Sequence, residues 1–211
     1  MQPRRAPRVG TRMMMTLLRA HNWPPTVLIL AMIALIGFIS RSTLVSLPLL
    51  QEQVPVRLLI VVVIPSVTIV PLYATFVEFA PALLREPAIR TIRVIATVTL
   101  AFAVTLPIFA GTHSIEEAAE VAFEWRLFTF LVSLGTCAVV AVGEYAWQPV
   151  LSVGLLALFT TAGPGSRVER AVAAVPAQVL VAVLFVAVLA FSAFGAREVR
   201  RPRQSRVLHH S

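Results

Sequence analysis

The sequence contains no lysine and no aspartate: all 18 basic residues are arginine and all 10 acidic residues are glutamate. The lack of aspartate excludes an aspartyl intramembrane protease, and also a lipid-phosphate transferase that binds magnesium through aspartate-rich motifs. The single cysteine, Cys137, cannot form an intrachain disulfide, and its apolar surroundings favour a packing role. Charged residues of both signs make up only 13% of the chain. A soluble domain of 211 residues with so few charges would need a very large buried core.

Long apolar runs take the place of the missing charges. Hydrophobic residues make up 58% of the chain, and the mean hydropathy is +0.85. A helix needs about 20 predominantly apolar residues to cross about 30 Å of hydrocarbon. The second and sixth apolar segments meet this requirement alone, and the others need their flanking residues. The six predicted spans are 26–39, 58–77, 94–110, 127–142, 150–162 and 171–194.

The predicted fold is an all-α polytopic membrane protein with one domain. A basic N-terminal segment, 1–22, precedes a six-helix transmembrane domain over 23–195, and a basic cytoplasmic tail follows over 196–211. Turns separate the last three spans, and the residues from Gly143 to Pro149 predict a tight hairpin between the fourth and the fifth. Residues 40–57 predict an outer loop with a partly immersed helix.

The arginines predict the orientation, because positive residues are retained on the cytoplasmic side of a membrane. With the N-terminus inside, thirteen of the 18 arginines lie in inner segments and five in outer segments. Both termini are therefore expected in the cytoplasm, which requires an even number of spans. The net charge of +8 is then mainly a consequence of topology, and we expect anionic lipid rather than nucleic acid as the partner of the basic tails.

The N-terminal segment has the pattern of an amphipathic helix that lies on the membrane surface. Basic residues fall on one face at helical spacing and apolar residues on the other. The residues that define these faces are Arg8, Arg12, Arg19, Met14 and Leu18. This helix is either a simple anchor or a docking element.

The inner segment between the second and third predicted spans has the pattern of a short cytoplasmic helix. Prolines punctuate it, and an apolar side opposes a charged side. Such a charged hairpin suits a groove on a cytoplasmic partner; the alternative is a solvated loop that only obeys the positive-inside rule. The residues assigned to docking are Pro81, Leu84, Arg85, Glu86, Arg90 and Arg93.

Two carboxylates, Glu78 and Glu144, lie at the inner boundaries of predicted spans. An acid at such a depth needs an arginine partner or contact with water, so it is a functional candidate. For Glu78 the alternatives are an ion pair with Arg85 or Arg93 and a proton relay. For Glu144 the alternative to a functional role is a paired carboxylate or one that reaches the head groups.

An outer segment between the third and fourth spans is rich in acids. Ser114 and Glu117 form a capping box at a helix start, and Glu117, Glu120 and Glu124 share one helix face. His113 is close in sequence, but no second histidine or cysteine stands at ligand spacing, so no metal site is expected. The expected interpretation is a solvated acidic face.

The chain carries no motif of a hydrolase nucleophile, a zinc protease or a phosphate-binding glycine loop. It is therefore not expected to be an enzyme, and no cofactor is expected in this chain.

The overall arrangement resembles the permease subunits of ABC exporters of the type-2 class. More narrowly, Glu78-x-x-Pro81 with the basic stretch to Arg93, and Trp125-Arg126-Leu127 with Trp147-x-Pro149, are similar to small actinobacterial membrane proteins of permease type. The resemblance implies a coupling helix over 81–93, a separate ATP-binding subunit that holds ATP and magnesium, and a homo-oligomer or a second permease subunit. It also implies a multi-pass protein of the bacterial plasma membrane. Exporters of this class carry a re-entrant hairpin between the last two spans, for which residues 163–170 are too few.

The sequence thus predicts a transmembrane permease subunit of an ATP-driven exporter, without its own ATPase. Two other functions stay open: an accessory or scaffold subunit of a larger membrane complex, and an ion-coupled carrier that uses Glu78 and Glu144.

Overall fold

A computed structural model describes residues 23–40, 43–46, 53–73, 87–109, 115–161, 171–172 and 174–195 of the chain. This part is mostly helical. Its six long helices are α1 (Trp23–Ile39), α2 (Val56–Thr68), α3 (Pro87–Phe109), α4 (Ile115–Val142), α5 (Trp147–Thr161) and α6 (Ala177–Phe194). Each contains most of one predicted span. The N-terminal amphipathic helix and the tail after residue 195 lie outside the described residues.

The predicted second span is shorter as a helix than the sequence suggested. α2 includes Pro65 but ends at Thr68, and a 3-10 turn, Val70–Leu72, follows with Pro71 near its start. Proline lacks the backbone N–H that would continue the helical hydrogen bonds, which explains the change of structure at Pro71. Proline also shortens the sixth span, because Pro176 is the N-cap of α6 and disfavours a helical conformation for the residue before it.

The connection between α1 and α2 differs from the prediction of an immersed helix. Two strands, β1 (Leu44–Ser46) and β2 (Gln53–Pro55), form an antiparallel pair in which Val45 is opposite Val54. The described part of the chain is thus not entirely α-helical, since this strand pair leads directly into α2.

The helices alternate in direction. At one end of the bundle, Gly37 near the end of α1 lies beside Ile60 near the start of α2 and Ile108 near the end of α3. We call this the upper end. At the lower end, the side chain of Arg93 near the start of α3 contacts the turn that follows α2, and Arg90 contacts the end of α6.

The predicted hairpin between α4 and α5 is present. A Cβ placed on Gly135 would lie 3.2 Å from Cγ2 of Val150. Fifteen residues of continuous helix would separate these positions by about 22 Å. The chain therefore reverses in the 3-10 turn Gly143–Ala146, where Gly143 has a φ of 63°. The backbone of a residue with a side chain rarely adopts this left-handed conformation, so glycine suits the position.

The core centres on α2, which packs against α1, α3, α4 and α5. Outward faces of the bundle are strongly apolar. On α1 the side chain of Leu28 is 64% exposed, and on α6 that of Phe185 is 62% exposed, with many apolar neighbours equally uncovered. An apolar surface of this extent marks contact with a membrane or with another protein.

Three helical stretches of the described part are long and apolar enough to cross a membrane: Pro87–Phe109, Glu120–Thr160 and Ala177–Phe194. The middle stretch contains most of α4 and of the reversed helix α5. Two further apolar helices, Trp23–Ile39 and Val56–Leu72, are shorter. The prediction of a mostly helical protein is thus confirmed for the described part of the chain, and these three stretches have the length and composition that a membrane span requires.

Gly154 provides a test of the packing between α5 and α2. A Cβ at this position would collide with the Cγ1 atom of Val62, a β-branched side chain that is fully buried. We expect Gly154→Ala to lower the free energy of unfolding by about 1–3 kcal/mol through overpacking. Thermal or detergent unfolding measures this loss. The double variant Gly154→Ala with Val62→Ala should lose less than the sum of the two single variants, and strict additivity would contradict the proposed contact.

Candidate functional site

Arg93 links α3 to the backbone that follows α2. Its Nη2 atom donates hydrogen bonds to the carbonyl oxygens of Pro71 and Leu72, at 2.9 and 2.7 Å. The last carbonyl groups of a helix have no partner within the helix, and the chain beyond Leu72 does not continue α2. A charged donor is well suited to these oxygens, so Arg93 takes the role of a cap supplied by a neighbouring helix.

Arg90 links the same region of α3 to the end of α6. Its Nη1 atom donates to the carbonyl oxygen of Ala193 at 3.2 Å. Gly195 follows with a φ of 70°, and a Cβ there would lie 3.1 Å from Nε of Arg90. Glycine at this position therefore permits both the left-handed backbone and the close approach of the guanidinium group.

These contacts refine the prediction of a separate docking helix over residues 81–93. Arg90 and Arg93 belong to α3 itself, which begins at Pro87, and both guanidinium groups contact backbone oxygens of the bundle. The docking residues Pro81, Leu84, Arg85 and Glu86 lie outside the described residues. So do Glu78 and the surface-helix residues Arg8, Arg12, Met14, Leu18 and Arg19.

The second boundary carboxylate, Glu144, lies in the turn between α4 and α5 at the lower end. Tyr73, which follows the helical segment Val56–Leu72, is near enough to respond to its charge. Burial, and secondly the charge of Glu144, raise the pKa of the Tyr73 hydroxyl group above its ordinary value. Two cations, a phenol and a carboxylate thus lie at the lower end, in the residues Arg90, Arg93, Tyr73 and Glu144.

The upper end carries a second charged cluster that sequence analysis did not predict. Arg57, at the start of α2, contacts two glutamates that are one helical turn apart on α4. Its Nε atom donates to Oε1 of Glu124 at 2.9 Å, and its Nη2 atom donates to Oε2 of Glu120. We call these three residues the upper cluster.

Burial differs sharply between the two glutamates. The side chain of Glu120 is 61% exposed, whereas that of Glu124 is only 4% exposed. The expectation of a solvated acidic face was therefore wrong for Glu124. The acidic side of α4 does not face water at Glu124, because α2 covers it there and supplies Arg57.

The other oxygen of Glu124 lacks a partner. Oε2 is buried, and the described residues provide no hydrogen-bond donor to it. Arg57 contributes one positive charge against the two carboxylates, so the three residues together carry one negative charge when both acids are ionised. A buried carboxylate with an unpaired oxygen is energetically unfavourable unless another group, or a proton, neutralises it.

Aromatic rings pack beside the upper cluster. Trp125 follows Glu124 on α4, and its ring stacks on Phe102 with a centroid distance of 5.7 Å. Phe109 and Phe128 complete the group, at 4.9 and 5.9 Å from the Trp125 ring. These rings are large hydrophobic groups in mutual contact, and we assign them a packing role.

The described segments contain no group of three or more potential metal-ligating side chains. His113 and the side chain of Glu117 lie outside them, so the predicted absence of a metal site stays a prediction.

Comparisons with models of protein families, with curated proteins and with solved structures found no match to this chain.

Proposed function

We propose that this chain is the membrane-embedded permease subunit of an ATP-driven exporter, and that residues 81–93 dock on a separate ATP-binding subunit. The partner would hold ATP and magnesium, and a second permease copy would complete the assembly. The observation that carries this proposal is the pair of arginine contacts at the start of α3. Arg93 joins α3 to the end of the α2 segment, and Arg90 joins α3 to the end of α6.

These contacts provide a route by which work done on one segment reaches several helices. A displacement of residues just before Pro87 moves the start of α3. Since the guanidinium groups contact the carbonyl oxygens of Leu72 and Ala193, the lower ends of α2 and α6 follow. A subunit without a nucleotide-binding motif needs such a connection, because it can do work only when a partner supplies the energy.

The apolar surface supports a membrane location for the bundle. Exposed side chains on α1 and α6 are almost all hydrocarbon, as expected where lipid is the solvent. We further propose six crossings, with both termini in the cytoplasm of a bacterial cell. The alternating helix directions support this number, and the arginine distribution supports the orientation.

The docking proposal predicts a selective loss of partner binding. We expect the variant with Arg85, Glu86 and Arg90 replaced by alanine to bind its ATP-binding subunit about tenfold more weakly, or about 1.4 kcal/mol. The tagged chain is purified from membranes of its native host, and the ATP hydrolysis activity that co-purifies with it is measured. The affinity of the separated ATP-binding subunit for the chain is then measured with the chain in lipid nanodiscs.

Arg200→Ala is the matched control, because it removes a positive charge from the C-terminal tail on the same proposed side. The proposal fails if no ATPase associates with the chain, or if the control and the triple variant lose affinity equally. Transport driven by a proton gradient and abolished by Glu78→Gln would indicate a carrier instead. Absence of flux in both assays would indicate a scaffold.

A further inference from the structure

Glu124 stands apart from the docking region, at the opposite end of the bundle. Its side chain is only 4% exposed, and it lies on α4 within the stretch Glu120–Thr160 that is long enough to cross a membrane. An ionisable group at such a position is uncommon and marks a functional site by default. The proposed exporter mechanism assigns no role to it.

The charges around Glu124 come from two residues only within the described part of the chain. Arg57 on α2 and Glu120 on α4 are its charged neighbours. α1, α5, α6 and the portion of α3 beyond Arg93 contain no charged residue. Arg126 follows two positions later on α4, about 200° around the helix from Glu124. Arg57 is the cation that the structure pairs with both carboxylates.

The two oxygens of Glu124 have different surroundings. Oε1 accepts the hydrogen bond from Arg57, while Oε2 is buried without a donor from the described residues. We propose that Oε2 of Glu124 is a proton-binding site. The carboxylate and one proton form the neutral acid at Oε2, and Oε1 continues to accept from Arg57.

Glu120 gives this site a connection to the surface. It lies one helical turn before Glu124, contacts the same guanidinium group, and is mostly exposed. A proton can thus reach the cluster from the solvent at the upper end. By the proposed orientation this is the outer side of the membrane, so the site would sense the acidity outside the cell.

Infrared spectroscopy of the full chain in nanodiscs tests the proposal directly. Solvated glutamates ionise near pH 4.3, so at about pH 6 only an unusual carboxyl group gives the carbonyl stretch of a protonated acid. We expect this band in the wild-type protein, with its characteristic shift in D2O. Glu124→Gln should abolish the band, and the matched variant Glu144→Gln, which removes a carboxylate at the opposite end of the bundle, should retain it.

Absence of the band from the wild-type protein at this pH would overturn the proposal, as would its persistence in Glu124→Gln. Should Glu124→Gln fail to fold, Arg57→Gln gives a second test. Removal of the cation should move the pH at which the band disappears upward by about one to three units. An unchanged midpoint would show that the protonated group is not Glu124.

Discussion

Replacement of Arg57 by methionine is expected to lower the free energy of unfolding by about 3–5 kcal/mol at a pH high enough to ionise Glu124 in the variant as well as in the wild type. Methionine preserves much of the apolar stem but leaves Glu124 buried without a positive partner. The loss of one member of a buried ion pair has this large effect because the remaining charge keeps its desolvation penalty. Unfolding of the purified protein in mixed micelles, compared with wild type under identical conditions, gives the difference.

The pH dependence of this variant has a defined sign. Without Arg57, the folded state holds a proton on Glu124 more tightly than the unfolded state does, so the variant regains stability as the pH falls. Glu120→Gln is the control, because Glu120 is exposed and its loss should change the free energy by less than about 1 kcal/mol. A smaller loss for Arg57→Met than for Glu120→Gln would contradict the assigned burial of Glu124.

Replacement of Arg93 by methionine is expected to lower the free energy of unfolding by about 3 kcal/mol. The carbonyl oxygens of Pro71 and Leu72 would lose their charged donor, and both of these hydrogen bonds are partly buried. Arg90→Met is the matched control, since the hydrogen bond of Arg90 to the carbonyl of Ala193 is exposed and should contribute about 1 kcal/mol or less. The same unfolding assay ranks the two variants.

An equal loss for the two variants would mean that the bonds of Arg93 to Pro71 and Leu72 stabilise the fold no more than the exposed bond of Arg90, and it would contradict the role of Arg93 as a cap. A larger loss for Arg93→Met would identify it as a structural link between α2 and α3. Partner affinity measured on the same variants then separates this structural role from the proposed docking role.

Hydropathy predicted the positions of the helices well, because each apolar run is much longer than the error of a few residues in placing its ends. The predicted spans 94–110 and 127–142 lie almost wholly within α3 and α4, which extend further toward their polar starts. Arg90 and Arg93 were therefore placed in a separate inner helix when they belong to α3. A charged residue does not by itself end a helix. It lowers the mean hydropathy of its segment, so hydropathy criteria place that segment outside the hydrocarbon although the helix continues.

Lateral contacts between helices could not be predicted in the same way. Lipid chains and helix faces are equally apolar, so hydropathy does not specify which helices are neighbours. The ion pair between Arg57 and Glu124 joins residues that are 67 positions apart in the sequence. Spacing within α4 placed Glu120 and Glu124 on one face, but no sequence signal indicated that α2 covers it.

The contacts of α2 and α4 occur at two matched levels, which constrains how the bundle can move. Arg57 meets Glu124 at one level, and Ile69, just past the end of α2, meets Gly135 at the other; a Cβ on Gly135 would lie 2.8 Å from Cγ2 of Ile69. The interval from Arg57 to Ile69 along α2 and the interval from Glu124 to Gly135 along α4 each correspond to about 17–18 Å of helix. Two helices that are in contact at two separate levels resist sliding along one another. We therefore expect any conformational cycle to carry α2 and α4 together as one rigid body.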